Sequence, residues 1–172
     1  MAPASGSARL ASLQGNHTVA LLLQRAGPEP GYAGWVWQEG LGDVLTGSSA
    51  PRSNPDHDSL PNAFERILGG NPLEPNSAGY APQVSTAGNN LMLTFSRDDK
   101  SEGSAQCYVE YGRDLGTWSE AAIGSTGSGS GNNGITIAIE ENGPSPDSVA
   151  VILPFSLTTQ TRLFARLKTV LE

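Results

Sequence analysis

The sequence predicts a mainly β protein: an antiparallel β-sandwich preceded by a short helical, calcium-loop linker segment. Three observations carry this expectation. Beyond Gly88, apolar residues recur at every second position on five separate segments, the period of strands that bury one face. Gly (21) and Pro (12) make up nearly a fifth of the 172 residues, which favours short strands and many turns over long helices. Residues 54–65 place oxygen-bearing side chains at the ligand spacing of a twelve-residue calcium loop.

In chain order, residues 1–12 are small and polar and read as disordered. Residues 18–24 (TVALLLQ) read as a buried strand or a short helix, with the length and the Thr and Val favouring strand. Asn16-His17-Thr18 matches a glycosylation sequon and is read as a chance match. Residues 27–31 (GPEPG) break the chain, and residues 32–41 read as a short amphipathic helix ending near Gly40. Its Tyr32, Trp35 and Val36 fall at helical spacing and read as packing residues. A Gly-, Ser- and Pro-rich loop over 42–53 leads into the calcium-type loop. A helix over 61–68 follows, with Pro61 at its first position and an apolar face of Ala63, Phe64, Ile67 and Leu68. Gly69-Gly70 stops it, with Pro72 just beyond. Residues 71–82 read as linker. The expected organisation is therefore 1–31 as an extension or the remnant of a preceding domain, 32–82 as helix, loop and linker, and 83–172 as the β domain.

The five alternating rows are Leu91, Leu93 and Phe95; Cys107, Val109 and Tyr111; Ile135, Ile137 and Ile139; Val149, Val151 and Leu153; and Leu163, Ala165 and Leu167. No long helix interrupts them, so a parallel α/β sheet is not expected. The run over 124–134 is rich in Gly and Ser, has no Lys and opens no helix. It reads as a flexible hairpin loop rather than a phosphate loop.

The candidate metal ligands are the side chains of Asn54, Asp56, Asp58, Asn62 and Glu65 and the backbone carbonyl of Leu60. Calcium is a hard cation that takes about six to eight oxygens, and the three carboxylates offset its charge. Two positions depart from the usual pattern. Asn54 replaces the first Asp and removes one charge. Ser59 stands at the sixth position, where Gly is usual because the chain is expected to turn there with positive φ. A different reading of the same residues is a solvated, Asp-rich start of a helix, its polar side chains capping free N–H groups.

Several function classes are disfavoured. A net charge of −7 argues against nucleic acid. No segment approaches the ~20 apolar residues of a membrane span. The lone Cys107 forms no intramolecular disulfide and reads as a small buried hydrophobe. Neither His17 nor His57 lies in a recognisable catalytic setting, and no site that would make the chain an enzyme stands out. The start of the chain is not a convincing signal peptide; for an exported protein the signal is expected upstream.

Several motifs, in order, carry a resemblance. Trp35 precedes Gly40-Leu41; NPDHDSLPN follows over 54–62; Leu68 to Pro72 reads LGGNP; and a β region ends the chain. That region contains Leu93 to Arg97, Tyr108 to Glu110, Arg113-Asp114-Leu115-Gly116-Thr117-Trp118, and Arg162-Leu163-Phe164-Ala165-Arg166-Leu167. This order resembles the C-terminal tail region of large secreted proteins of Verrucomicrobia and Planctomycetes, over about residues 32–172. The loop itself resembles dockerin and thrombospondin type 3 calcium repeats. The resemblance implies a non-catalytic C-terminal module of an extracellular or cell-surface bacterial protein, expected to be monomeric and to serve attachment, secretion or spacing, with a cell-envelope component or polysaccharide as partner. The alternative is a carbohydrate-binding β-sandwich presenting Trp118 and Tyr108; against it, a lone Trp after a turn more often packs than projects.

Overall fold

Two antiparallel sheets are the main regular structure of the described chain. The structure, a computed structural model, describes residues 31–42, 45–124, 129–130, 132–143, 146–158 and 162–171. The strand expected at 18–24, the sequon and His17 lie outside the described residues.

Two short helices come first, α1 (Tyr32–Gln38) and α2 (Asn62–Leu68). The strands are β1 (Gln83–Ala87), β2 (Asn90–Arg97), β3 (Ala105–Gly112), β4 (Ser119–Ile123), β5 (Gly129–Ser130), β6 (Thr136–Glu140), β7 (Asp147–Pro154) and β8 (Phe164–Leu171). One sheet runs β1-β2-β7-β6-β5, with β5 only two residues long, and the other runs β4-β3-β8. All pairings are antiparallel.

Burial follows the pleat. Leu91, Leu93 and Phe95 on β2, Val149, Val151 and Leu153 on β7, and Ile137 and Ile139 on β6 are buried. Register places Leu93 opposite Val151 and Val151 opposite Ile137, so one apolar row crosses three strands. From the other sheet Cys107, Val109, Tyr111, Ile123 and Leu167 join the same hydrophobic cluster. The last row is weaker than the alternation suggests. Strand β8 begins at Phe164, Leu163 and Ala165 are half-buried, and Leu167 alone of that row is fully covered.

Three strands carried no readable signal. Every residue of β1 is exposed, so it has no apolar alternation and is held by its pairing with β2 across the turn at Gly88, whose φ is 59°. Strand β4 buries only Ile123 fully, and β5 is too short for a pattern and lies inside the run read as a loop. The β3–β4 connection is a tight hairpin. Asp114 Oδ1 accepts hydrogen bonds from the Gly116 and Thr117 amides at 2.9 and 2.8 Å, which hold its carboxyl below its ordinary pKa. A Cβ at Gly112 would sit 2.4 Å from the Thr117 carbonyl, so this hairpin needs glycine there.

Helix α2 is docked on the sheets. Leu60, Ile67 and Leu68 belong to the sheets' own cluster. The Asp98 amide donates to the Ile67 carbonyl at 2.7 Å, and Arg66 donates to the Lys100 carbonyl and, at 3.3 Å, to Ser104 Oγ. Pro61 is the N-cap rather than the first helical residue, with extended backbone (ψ 155°). Helix α1 packs through Tyr32, Trp35 and Val36, with Leu41 and Leu171 against them.

Candidate metal site

The loop before α2 folds on its own short side chains. Asn54 Nδ2 donates to the Asp58 carbonyl at 2.6 Å and closes the loop. Asp56 Oδ1 accepts from the Asp58 amide at 3.3 Å, and Asp58 Oδ1 accepts from the Leu60 amide at 2.6 Å. Each aspartate thus binds the backbone two residues on, the local turn that Asp favours. The first free N–H groups of α2 are met by backbone, Asn62 N to the Ser53 carbonyl (2.8 Å) and Ala63 N to the Pro51 carbonyl (2.9 Å), and no side chain caps the helix. The loop's aspartates and asparagines are therefore not spent on capping, as the solvated-helix-start reading required.

The left-handed turn falls at a different residue from the one expected. Ser59 does not have positive φ; His57 does, at 63°. The reversal therefore lies between Asp56 and Asp58, inside the turn that Asp56 closes on the Asp58 amide. His57→Gly is therefore expected to raise stability by about 0.5–1 kcal/mol, because a Cβ resists this backbone region. Ser59→Gly is expected to give no gain. Urea unfolding of both variants at one fixed metal concentration checks this, and a gain at Ser59 alone would reverse the assignment.

Carboxylate oxygens of Asp56, Asp58 and Glu65 all lie within 4.8 Å of one another, a group that can hold a metal ion. Glu65 is 1% exposed, because α2 turns it inward beside Ile67 and Leu68. Gly70 makes room for it: a Cβ there would stand 3.2 Å from Glu65 Cβ, Cγ and Oε1. Both Glu65 oxygens are buried without a hydrogen-bond partner, as are Asn54 Oδ1, Asp56 Oδ2 and Asn62 Oδ1. Buried acceptors left unmet cost about 1–3 kcal/mol each, so five in one loop and helix start call for partners, which a cation or bound water can supply. Burial, and then the charges of Asp56, Asp58 and Glu39, push the Glu65 carboxyl up to about 8.

The expected ligands thus stand as follows. Asp56, Asp58 and Glu65 converge. Asn54 and Asn62 are anchored by their amide nitrogens, Asn62 on the Ser48 (2.7 Å) and Ala50 (3.1 Å) carbonyls, and each keeps a buried, unpartnered Oδ1. The Leu60 side chain lies in the core, so only its backbone carbonyl is a ligand candidate. Sequence reasoning missed the Glu39 charge and the Asn62 anchorage to the 47–50 turn; no spacing rule reports either.

A second acidic group, Glu102, Glu141 and Asp147, has its own cation. Arg97 Nη2 lies 2.5 Å from Glu102 Oε1 and 2.9 Å from Asp147 Oδ2, and Nη1 donates to the Gly124 carbonyl at 2.6 Å. Here the guanidinium stands where a metal would.

Of the two aromatics weighed for sugar binding, Tyr108 lies on the outer side of β3 and Trp118 just before β4. Trp118 is half-buried, with the Arg166 guanidinium 4.1 Å over its ring. Lys168 Nζ lies 5.3 Å over Tyr108. Both cations also pair with Glu110, and Lys168 pairs with Glu120.

Compared with protein-family models, curated proteins and solved structures, the chain matches none.

Proposed function

We propose that residues 54–65 form a single calcium site that stabilises a non-catalytic C-terminal module of a secreted or cell-surface bacterial protein, in which the two sheets pack as a β-sandwich. The observation that carries the calcium reading is Glu65, a carboxylate held dry by the core with both oxygens unpartnered beside two further carboxylates. The donor set is all oxygen: Asn54, Asp56, Asp58, Asn62 and Glu65 side chains and the Leu60 carbonyl. That set suits calcium, whereas magnesium demands a smaller octahedron and keeps its waters. An affinity of about 10⁻⁴ to 10⁻³ M, the range of extracellular modules, suits a calcium-rich exterior.

The sandwich is supported by one hydrophobic cluster drawing on inner residues of both sheets. The role as an accessory module, with a cell-envelope component or polysaccharide as partner, rests on the order of motifs from Trp35 to Leu167. Direct sugar binding by Trp118 and Tyr108 is the less favoured reading, because cations already cover a face of each ring. Among the described residues no helix is long and apolar enough to cross a membrane.

Calorimetric titration of the whole chain tests the site. Calcium is expected to give saturable heat with one site per chain and magnesium a weaker response. Glu65→Gln, which removes the buried charge and keeps the shape, is expected to weaken calcium at least about tenfold. No heat at millimolar calcium, or a Glu65→Gln chain that binds like the parent, sinks the proposal.

A further inference from the structure

We infer that cation binding at residues 54–65 locks helix α1 onto the sheets, so that the site is a metal-dependent joint between α1 and the β domain. This rests on the cation site proposed above. The joint is a short chain of contacts. Glu65 and Asn62 stand three residues apart on one face of α2, and both are fully buried. Asn62 Nδ2 holds the Ser48 and Ala50 carbonyls at 2.7 and 3.1 Å. On the other side of that turn the Tyr32 hydroxyl donates to the Ser49 carbonyl at 3.0 Å, a buried bond. Tyr32 in turn packs on Trp35, ring centroids 5.6 Å apart. Helix α2 is itself fixed to the sheets through Ile67, Leu68 and the Asp98 amide. Position therefore passes from the cation ligands to α1 through the 47–50 turn.

Electrostatics act in the same direction. Glu39 closes the C-terminal end of α1, and its charge is one of those acting on Glu65. Without a cation the charges of Asp56, Asp58 and Glu39 disfavour an ionised Glu65 by repulsion, and Arg66 offsets part of the Glu39 charge. A divalent cation among the ligands turns that repulsion into attraction. A carboxylate at a helix C-terminus also opposes the helix dipole, so α1 gains when the charge is offset. Two events that favour each other are coupled reciprocally: the factor by which the cation tightens α1 docking is the factor by which docked α1 tightens the cation.

Hydrogen exchange on the full chain, with and without calcium, reads this directly, with calorimetry in parallel. The informative amides are Trp35, Glu39 and Leu41, which donate to the Gly31, Trp35 and Val36 carbonyls. Metal-free, they are expected to exchange faster than the central strand β7, and calcium is expected to narrow that gap by about tenfold. In a second arm Tyr32→Phe, which removes only the hydroxyl and is not a ligand, is expected to lower calcium affinity several-fold. An unchanged gap between α1 and β7 while calcium binds, or a Tyr32→Phe chain with parental affinity, overturns the joint alone. Absence of calcium heat in the parent overturns the cation site and the joint with it.

Discussion

Metal-free protein is expected to lose stability as pH rises from about 5 to 8, and calcium is expected to restore it. The group responsible is Glu65, whose folded pKa is raised from 4.5 to about 8 by burial and by its acidic neighbours. Below about 4.5 both folded and unfolded chains carry the proton, and stability is fully present. Between there and about 8 only the folded chain holds it, so each pH unit costs up to about 1.4 kcal/mol. Across the window the loss is on the order of a few kcal/mol, a large share of the ~5–15 kcal/mol of an ordinary domain. Calcium replaces the proton, so the slope flattens and the gap between calcium-bound and metal-free protein widens with pH. At a calcium concentration about 100 times Kd the folded state gains ~2.7 kcal/mol, or about 5–10 °C in Tm for a chain of this size. Calorimetric scans at pH 5, 6.5 and 8, with calcium and with a chelator, give the answer. A metal-free Tm that does not fall over this range contradicts the buried, proton-holding Glu65.

Ile137→Asp is expected to unfold both sheets together. Ile137 is buried on β6, opposite Val151, in the cluster to which both sheets contribute. The substitution removes an apolar side chain worth about 2–3 kcal/mol and strands a carboxylate away from water, at several kcal/mol more. Together these rival the whole stability of a domain. The neighbouring Thr136 points the other way and is exposed, so Thr136→Asp is expected to stay within about 0.5 kcal/mol of the parent. Circular dichroism melting of the pair separates the two faces of one strand. A soluble Ile137→Asp chain that melts like the parent would remove Ile137 from the core.

The candidate site was legible in the sequence to the extent that its ligands are local. Asp56, Asp58 and Glu65 fall within one loop and the first turns of one helix, so spacing alone brings their carboxylates together. The solvation of that site is not local. Whether Glu65 is a wet helix start or a dry, unpartnered acid depends on Ile67, Leu68 and the sheets that bury α2. The left-handed residue also differs from the expected one: the usual glycine position points to Ser59, whereas the chain reverses at His57, inside the turn closed by Asp56.

By itself the sequence determined the strands that bury one face. Period two on β2, β3, β6 and β7 fixes which side chains point inward, since a one-residue slip would expose every one of them. It also determined where α2 ends, because Gly69 takes φ 83° beyond the last apolar turn. Only the tertiary structure decided the rest. Strand β1 exists because β2 offers hydrogen bonds across a tight turn, not because its own residues seek burial. Of two acidic clusters with similar composition, one is neutralised by Arg97, a residue 50 positions before Asp147 in the chain. The other closes on the unpartnered oxygens of Glu65. Charge pairing across such distances is set by how strands stack, and no local pattern in the chain records it.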